Sequence, residues 1–144
     1  MIDEFWMKRA LLLARKALNV NKMPIASVLV YKNSEIGHGF NYADFFIYPH
    51  YHSEIFSLKQ GTFYISDFLL NNASMYITLE PCSLCLYLSF LFKIKTVIFA
   101  TYSKHISHTL SKYESGPMMK GGVLSDESLM LLKTFFLKNR SWCQ

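Results

Sequence analysis

The stretch SMYITLEPCSLCLYLSFLFKIKTVIFA, residues 74–100, decides the fold class of this chain. It opens with a strand-like run at residues 74–79, continues as an apolar helical segment at residues 82–92, and closes with a second strand-like run at residues 96–100. A strand, a helix and a strand in this order form a βαβ unit, whose two strands lie parallel in one sheet. The stretch therefore predicts an α/β protein.

The segment upstream of this unit predicts a helix followed by a hairpin. Residues 2–20 carry apolar side chains at helical spacing and predict a first helix packed on the sheet. Residues 25–31 form a β-branched run, and residues 35–41 return as the second strand of a hairpin. Gly37 and Gly39 in that second strand indicate a bulge or a close approach of another backbone.

The remaining segments have weaker patterns. Residues 42–51 predict a loop, and residues 54–60 predict a second helix. Residues 103–113 favour a short polar helix, and residues 118–124 favour a last short strand. The pattern of residues 125–140 predicts a closing helix with its serine as N-cap, because the two acidic residues that follow suit the positive end of a helix dipole.

Composition predicts one domain spanning residues 1–144, because 51% hydrophobic residues, with 16% aromatic residues, supply ample core for a chain of 144 residues. No apolar run approaches the roughly 18 residues that span a bilayer, and no signal peptide precedes the first helix, so we expect a cytoplasmic protein without a membrane segment. The net charge of +5 fits an anionic partner, although many ordinary soluble proteins are equally basic.

Two short motifs hold the reactive side chains. Cys82 and Cys85 are three residues apart, so on a helix both sulfurs lie on one face and can bind one ion. Pro81 suits the first turn of that helix, where the dipole favours the thiolates that bind zinc. His52 supplies a third ligand, and a catalytic zinc keeps three protein ligands where a structural zinc has four. The motifs together predict an open zinc site.

Glu54 is the spare acid of this set. Two residues of a regular helix point about 200° apart, so His52 and Glu54 reach one centre only if His52 lies in the first turn or the cap. Glu54 then lies over the metal without binding it and can shuttle protons. A Cys-x-x-Cys pair is also typical of structural zinc knuckles and redox pairs. A four-ligand structural site that adds His50 is the other alternative, and it would leave Glu54 without a role.

A His-x-Glu triplet followed by Pro-Cys-x-x-Cys is the signature of the zinc nucleobase deaminases, and the chain resembles their bacterial tRNA-specific adenosine deaminase family. The resemblance implies a three-layer α/β/α sandwich around a five-stranded mixed sheet, a homodimer, and one zinc ion per chain. It also implies hydrolytic deamination of adenosine to inosine at the first anticodon position of tRNA. The stretches that resemble the family are residues 23–30, 39–41, 76–82, 122–127 and 135–136.

The resemblance also implies roles for single residues. Asn41 matches the asparagine that holds the base, although an asparagine at a strand end is also typical of a turn. Ser53 replaces the usual alanine beside the histidine, and we assign it with Phe136 to substrate binding. Phe136 matches the aromatic end of the last helix near the RNA, whereas the alternative for Phe135 and Phe136 is an aromatic pair in the core.

The loop after residue 100 departs from the family, because residues 102–106 replace an aspartate and a lysine followed by a Gly-Ala-rich turn. That loop grips the anticodon in the family, so its change keeps open a deaminase of a free base or nucleoside, of the guanine or cytosine type. A non-catalytic, zinc-stabilised RNA-binding subunit is the third hypothesis. Retention of Glu54 argues against it, because binding needs no proton shuttle.

Overall fold

The computed structural model describes residues 1–41, 52–104 and 115–139, which contain four helices and five strands. In chain order these are α1 (Ile2–Asn19), β1 (Ala26–Tyr31), β2 (Ser34–Phe40), α2 (Ser53–Ile65), β3 (Ser74–Leu79), α3 (Ser83–Leu91), β4 (Thr96–Thr101), β5 (Met118–Lys120) and α4 (Ser125–Lys138).

The strands form one mixed sheet in the order β2-β1-β3-β4-β5. Strand β1 pairs antiparallel with β2 and β3, whereas β3, β4 and β5 run parallel to one another. The prediction of a hairpin followed by a parallel βαβ unit is therefore confirmed. The parallel pairing brings the carboxyl ends of β3 and β4 to the same edge, which is where open α/β folds place their sites.

Helices cover both faces of the sheet, which confirms the predicted three-layer α/β/α sandwich. On one face, α1 packs through residues such as Met7 and Leu11 against Val28 and Ile98, and α4 joins the same side. On the other face, Leu58 of α2 packs with the alternate side chains of the strands. Successive side chains of a strand point to opposite faces, so each buried strand supplies both layers.

The hairpin shows both features that its glycines predict. The pairing register shifts beside Leu29, whose partner is Gly37, so the edge strand bulges there. A side chain at Gly39 would lie 2.7 Å from both the Ser53 carbonyl oxygen and the Phe56 Cβ. The glycine therefore allows α2 to approach the sheet closely at its N-terminus, where part of the candidate site lies.

Helix α2 is longer than predicted, because it continues past Gln60 to Ile65. Gly61 is the first residue beyond the predicted helix, but it is buried inside the observed one. A side chain at Gly61 would collide with the Leu29 side chain of β1. Packing against the sheet therefore compensates for the low helix propensity of glycine at this position.

The start of α4 also differs from the prediction. Ser125 is the first residue of the helix and not its N-cap, which is Leu124 in a left-handed conformation at φ 55°. The backbone carbonyl of Ser125 accepts a hydrogen bond from the Thr101 hydroxyl at 3.0 Å, and Ser128 donates to the Thr78 carbonyl at 2.5 Å. These bonds hold α4 against the carboxyl ends of β3 and β4.

Three predictions fall wholly or mainly outside the described residues. These are the loop at residues 42–51, most of the polar helix at residues 103–113, and the predicted end of α4 at residue 140. Among the described helices, none combines the length and apolar character that crossing a bilayer requires.

Candidate active site

The candidate site lies where two helices begin beside the carboxyl ends of β3 and β4. His52 is the N-cap residue of α2, as the spacing of His52 and Glu54 predicts. Cys82 is the N-cap of α3, so the prediction that Pro81 occupies the first helical turn is wrong. The proline instead precedes the cap, where its fixed φ keeps the chain extended between strand and helix. Both helix dipoles therefore direct their positive ends toward this site.

Three side chains form a compact cluster at these helix ends. His52, Cys82 and Cys85 each offer a ligand atom, and these atoms all lie within 4.8 Å of one another. The His52 Nδ1 atom is 3.6 Å from the Sγ atom of each cysteine. Tetrahedral zinc with ordinary Zn–S and Zn–N bond lengths sets the nitrogen and sulfur ligands about 3.5 Å apart. The spacing and the donor types therefore fit a zinc ion.

Hydrogen bonding shifts the pKa values of the two cysteines in opposite directions. Hydrogen bonds from the Cys85 thiol, and also from His52 and the Cys85 amide, lower the pKa of Cys82 to about 4. The same thiol bond and burial raise the pKa of Cys85. His52 has a raised pKa, because it hydrogen-bonds to the Cys82 sulfur. The arrangement therefore favours the thiolate form of Cys82, which is the form that binds metals.

Glu54 is buried beside the cluster without belonging to it. Its side chain is 4% exposed, and burial raises the pKa of its carboxyl. The Ser53 hydroxyl donates to the Glu54 Oε2 atom at 2.9 Å. Ser53 itself is fully buried and is absent from the described lining of the cavity, in contrast with the substrate contact assigned to it from sequence. Its hydroxyl instead orients the acid.

A cavity of about 680 Å³ opens over this cluster. His52, Glu54 and Cys82 line it together with Asn41, which follows β2. Asn41 is 8% exposed, and its Oδ1 atom accepts the Ser53 N–H at 2.9 Å. This bond satisfies a free N–H in the first turn of α2, where His52 provides no side-chain cap. Asn41 thus joins β2 to the helix that carries the acid.

The two phenylalanines of α4 have different environments. Phe135 is 2% exposed and packs in an apolar cluster with Met23, Ile25 and Leu132, so the core interpretation holds for this residue. Phe136 is 42% exposed and lines the cavity. Helix α4 therefore places the Phe135 ring in the core and the Phe136 ring at the cavity.

Among the further residues that line the cavity, four are charged or aromatic: Glu80, Tyr102, Lys104 and Lys133. Glu80 is 4% exposed although it is acidic, and its position directly before Pro81 was the one available signal. Tyr102 and Lys104 lie on the loop that the sequence marks as a departure from the family, whereas Lys133 lies on α4, far from both motifs in sequence. Only the packing of α4 against the sheet brings them together.

Comparison with known proteins gives a consistent picture. Residues 1–140 match the model of the MafB19-like deaminase family. The tRNA-specific adenosine deaminase of Haemophilus influenzae is 33% identical over 147 residues, an alignment that covers 96% of this chain and 85% of that relative.

Solved structures with the same fold include both tRNA-directed and free-base deaminases. A structure from work on A-to-I editing by tRNA:A34 deaminases superposes with a TM-score of 0.81 at 24% identity, covering 89% of this chain and 99% of that one. A guanine deaminase from Nitrosomonas europaea superposes with a TM-score of 0.78 at 17% identity, covering 92% and 83% of the two chains. At these identities the superpositions establish the fold.

Proposed function

The chain belongs to the MafB19-like deaminases and to the family of the tRNA-specific adenosine deaminases, and we propose from that membership that it hydrolyses adenosine to inosine at the first anticodon position of tRNA. One observation carries the proposal: a single cavity joins a three-ligand cluster, a buried acid, and a rim of lysines and aromatic rings. The proposal takes residues 1–144 as one deaminase domain acting in the cytoplasm, where tRNA is found.

His52, Cys82 and Cys85 would hold one zinc ion per chain. The ion, when bound, supplies Lewis acidity that makes a water molecule reactive at neutral pH. The role of the three residues is to fix the position of the ion in the cavity wall. Because the Cys85 sulfur is fully buried and the His52 ring is at a helix cap, the ligands are held before substrate enters.

Glu54 would carry the proton in both directions. It accepts the two protons of the attacking water in turn, and it delivers one to the ring N1 atom and the other to the amino group as that group leaves. The water oxygen becomes the C6 carbonyl oxygen of inosine, and the amino group departs as ammonia. A buried carboxyl with a raised pKa suits both steps, because its protonated and charged forms lie closer in energy. Ser53 would keep Oε2 in place through its hydroxyl.

Asn41 and Phe136 would hold the base. The Asn41 oxygen already accepts the Ser53 N–H, so the side-chain NH₂ group is the donor that Asn41 can offer to an acceptor atom of the base. Phe136 offers an exposed ring at the cavity wall, against which a purine can pack. The cavity volume of about 680 Å³ accommodates a nucleoside.

The proposal is tested with an anticodon stem-loop that carries adenosine at its first position. The purified protein should form inosine from it, and the same stem-loop with adenosine at any other loop position should react far more slowly. Free guanine, cytosine and adenosine are assayed in parallel. Deamination of a free base with no inosine in the stem-loop would replace the tRNA proposal by the free-base alternative, which shares the cluster and the acid.

Salt dependence provides the second arm of this test. Lys104 and Lys133 are exposed at the cavity, and the chain carries a net charge of +5. If about three phosphates are neutralised, stem-loop affinity should fall roughly 20- to 40-fold as salt rises from about 50 to about 200 mM. A free base carries no phosphate, so a flat dependence contradicts an RNA substrate.

We infer a homodimer formed through the α2 and α3 face. Phe63 and Tyr64 of α2 are 77% and 66% exposed beside a groove, and Tyr87 of α3 is 42% exposed on the same side of the sheet. Aromatic residues are enriched where proteins associate. The cluster lies at the N-termini of these helices, so a second copy bound there would border the cavity.

Light scattering tests the dimer. The wild-type chain should have about twice its 16.8 kDa mass, and Phe63→Glu should shift it toward the monomer because the carboxylate would be buried at the contact. Leu12→Glu is the matched control, because Leu12 is 47% exposed on α1 across the sheet. A monomeric wild type, or a dimer unaffected by Phe63→Glu, contradicts this interface.

A further inference from the structure

Tyr102 is a large aromatic residue at the mouth of the cavity that the proposed chemistry does not use. It is 57% exposed and directly follows β4, the strand that ends beside the cluster. An exposed tyrosine is ordinary on a protein surface, but this ring lines the same cavity as His52 and Glu54. Its position makes it available to a group that enters together with the substrate.

Two neighbours hold the Tyr102 ring in one orientation. The edge-to-face contact with Phe99 has a centroid distance of 4.9 Å and an interplanar angle of 85°. Phe99 is 2% exposed and is therefore fixed in the core. On the same side, a side chain at Gly121 would lie 2.6 Å from the Tyr102 Cζ atom and 2.5 Å from the Phe99 ring. Only glycine leaves room for both rings.

The backbone that carries Tyr102 is held as firmly as its ring. The Glu80 N–H donates to the Thr101 carbonyl at 2.8 Å, and the Ser103 N–H donates to the Glu80 Oε2 atom at 2.9 Å. Residues on both sides of Tyr102 are therefore bound to Glu80, two residues before the ligand Cys82. The exposed ring is thus preorganised, which lowers the entropic cost of binding against it.

The charges around the ring identify the ligand class. Lys104 and Lys133 line the same cavity and are exposed, one on the Tyr102 loop and one on α4. An aromatic face and cationic side chains in one cavity are the combination that binds a base by stacking and its phosphates by charge. A free base carries no phosphate and no neighbouring base, so it could not bind to these residues in this way.

We propose that Tyr102 is a stacking platform for the nucleobase of the nucleotide next to the reacting adenosine in a single-stranded RNA loop, with Lys104 and Lys133 contacting the adjoining phosphates. This inference rests on the proposed function, because it concerns how the same RNA is read. Glu80 acts through Tyr102 as a positioning residue. The platform is a binding element, so it affects affinity and not the chemical step.

Paired substitutions test the platform with a stem-loop whose reaction is followed in single turnovers at varied protein concentration. Tyr102→Ala should weaken binding about 5- to 150-fold, which is the range for loss of one base–aromatic stack. The rate constant at saturating protein should stay near that of the wild type. Tyr102→Phe keeps the ring and should bind as the wild type does. Gly121→Ala should weaken binding while the tyrosine is still present, because it displaces the ring.

A fluorescent base gives a direct readout of stacking. With 2-aminopurine placed on either side of the target, the wild type and Tyr102→Phe should quench its emission at one of the two positions, and Tyr102→Ala should not. Phe5→Ala is the matched control, because Phe5 is 63% exposed, contacts Trp6 edge to face and is absent from the described cavity lining. Melting temperatures establish that each variant is folded.

The outcomes separate the inference from the function on which it rests. If the wild type forms inosine in the stem-loop and Tyr102→Ala binds and quenches as the wild type does, the platform is overturned and the deaminase proposal stands. If the wild type forms no inosine in the stem-loop, the proposed function itself fails. If Gly121→Ala does not fold, the Tyr102→Ala and Tyr102→Phe pair decides the question alone.

Discussion

Glu54→Ala is expected to lower the single-turnover rate of inosine formation about 10²- to 10⁴-fold, the range for loss of a general acid–base group. The carboxyl is 4% exposed, lines the cavity and lies outside the three-residue cluster. The variant should therefore keep its zinc and bind the stem-loop with little change. The loss should appear in the rate constant, because the acid contributes while protons move and not while RNA binds.

Two further variants sharpen this result. Glu54→Gln preserves the shape of the side chain and should be as inactive as the alanine variant, because an amide cannot shuttle the proton. Ser53→Ala removes the hydroxyl that donates to Oε2, and its effect should be much smaller, since the carboxylate remains. Turnover by Glu54→Gln within about tenfold of the wild type would contradict the assigned role.

Cys85→Ala should abolish both metal binding and deamination. The Cys85 sulfur is one of three clustered candidate ligand atoms and is fully buried, so its loss would leave two of them. We expect close to one zinc per wild-type chain by elemental analysis and a small fraction of that in the variant. Because a metal bound only by the native state stabilises folding, the variant should also melt more than about 5 °C lower.

Chelation of the wild type should reproduce the loss, and added zinc should restore activity to the chelated wild type but not to Cys85→Ala. Cys143→Ser is the matched control, because Cys143 is the one cysteine of the sequence outside the Cys-x-x-Cys motif. Its zinc content, melting temperature and activity should equal those of the wild type. A metal-free wild-type preparation with full activity would overturn the zinc proposal.

The local parts of the fold follow closely from the sequence. The βαβ unit was predictable because two strand-like runs around an apolar helix leave few alternatives in a short chain. The hairpin was predictable because two strand-like runs are separated by a short polar segment. Its turn residues, Lys32 and Asn33, take the positive φ angles, 48° and 59°, that a tight turn between twisted strands requires.

Errors arose where tertiary packing reversed a local preference. The helix predicted to end at residue 60 continues through Gly61, where the close packing on Leu29 leaves room for glycine alone. Ser125 looked like an N-cap, but its carbonyl accepts from Thr101 and the cap falls on Leu124. In both cases the decisive partner lies more than twenty residues away, where a local pattern carries no information.

The sequence by itself predicted the candidate ligands and the acid beside them, because His52, Glu54, Cys82 and Cys85 belong to two short motifs whose spacing constrains their geometry at helix ends. The tertiary structure alone decided what surrounds that set. Tyr102 and Lys133 meet at the cavity only because Thr101 and Thr78 anchor α4 to the ends of the parallel strands. Motif spacing is a property of local backbone geometry, whereas the cavity rim depends on long-range packing.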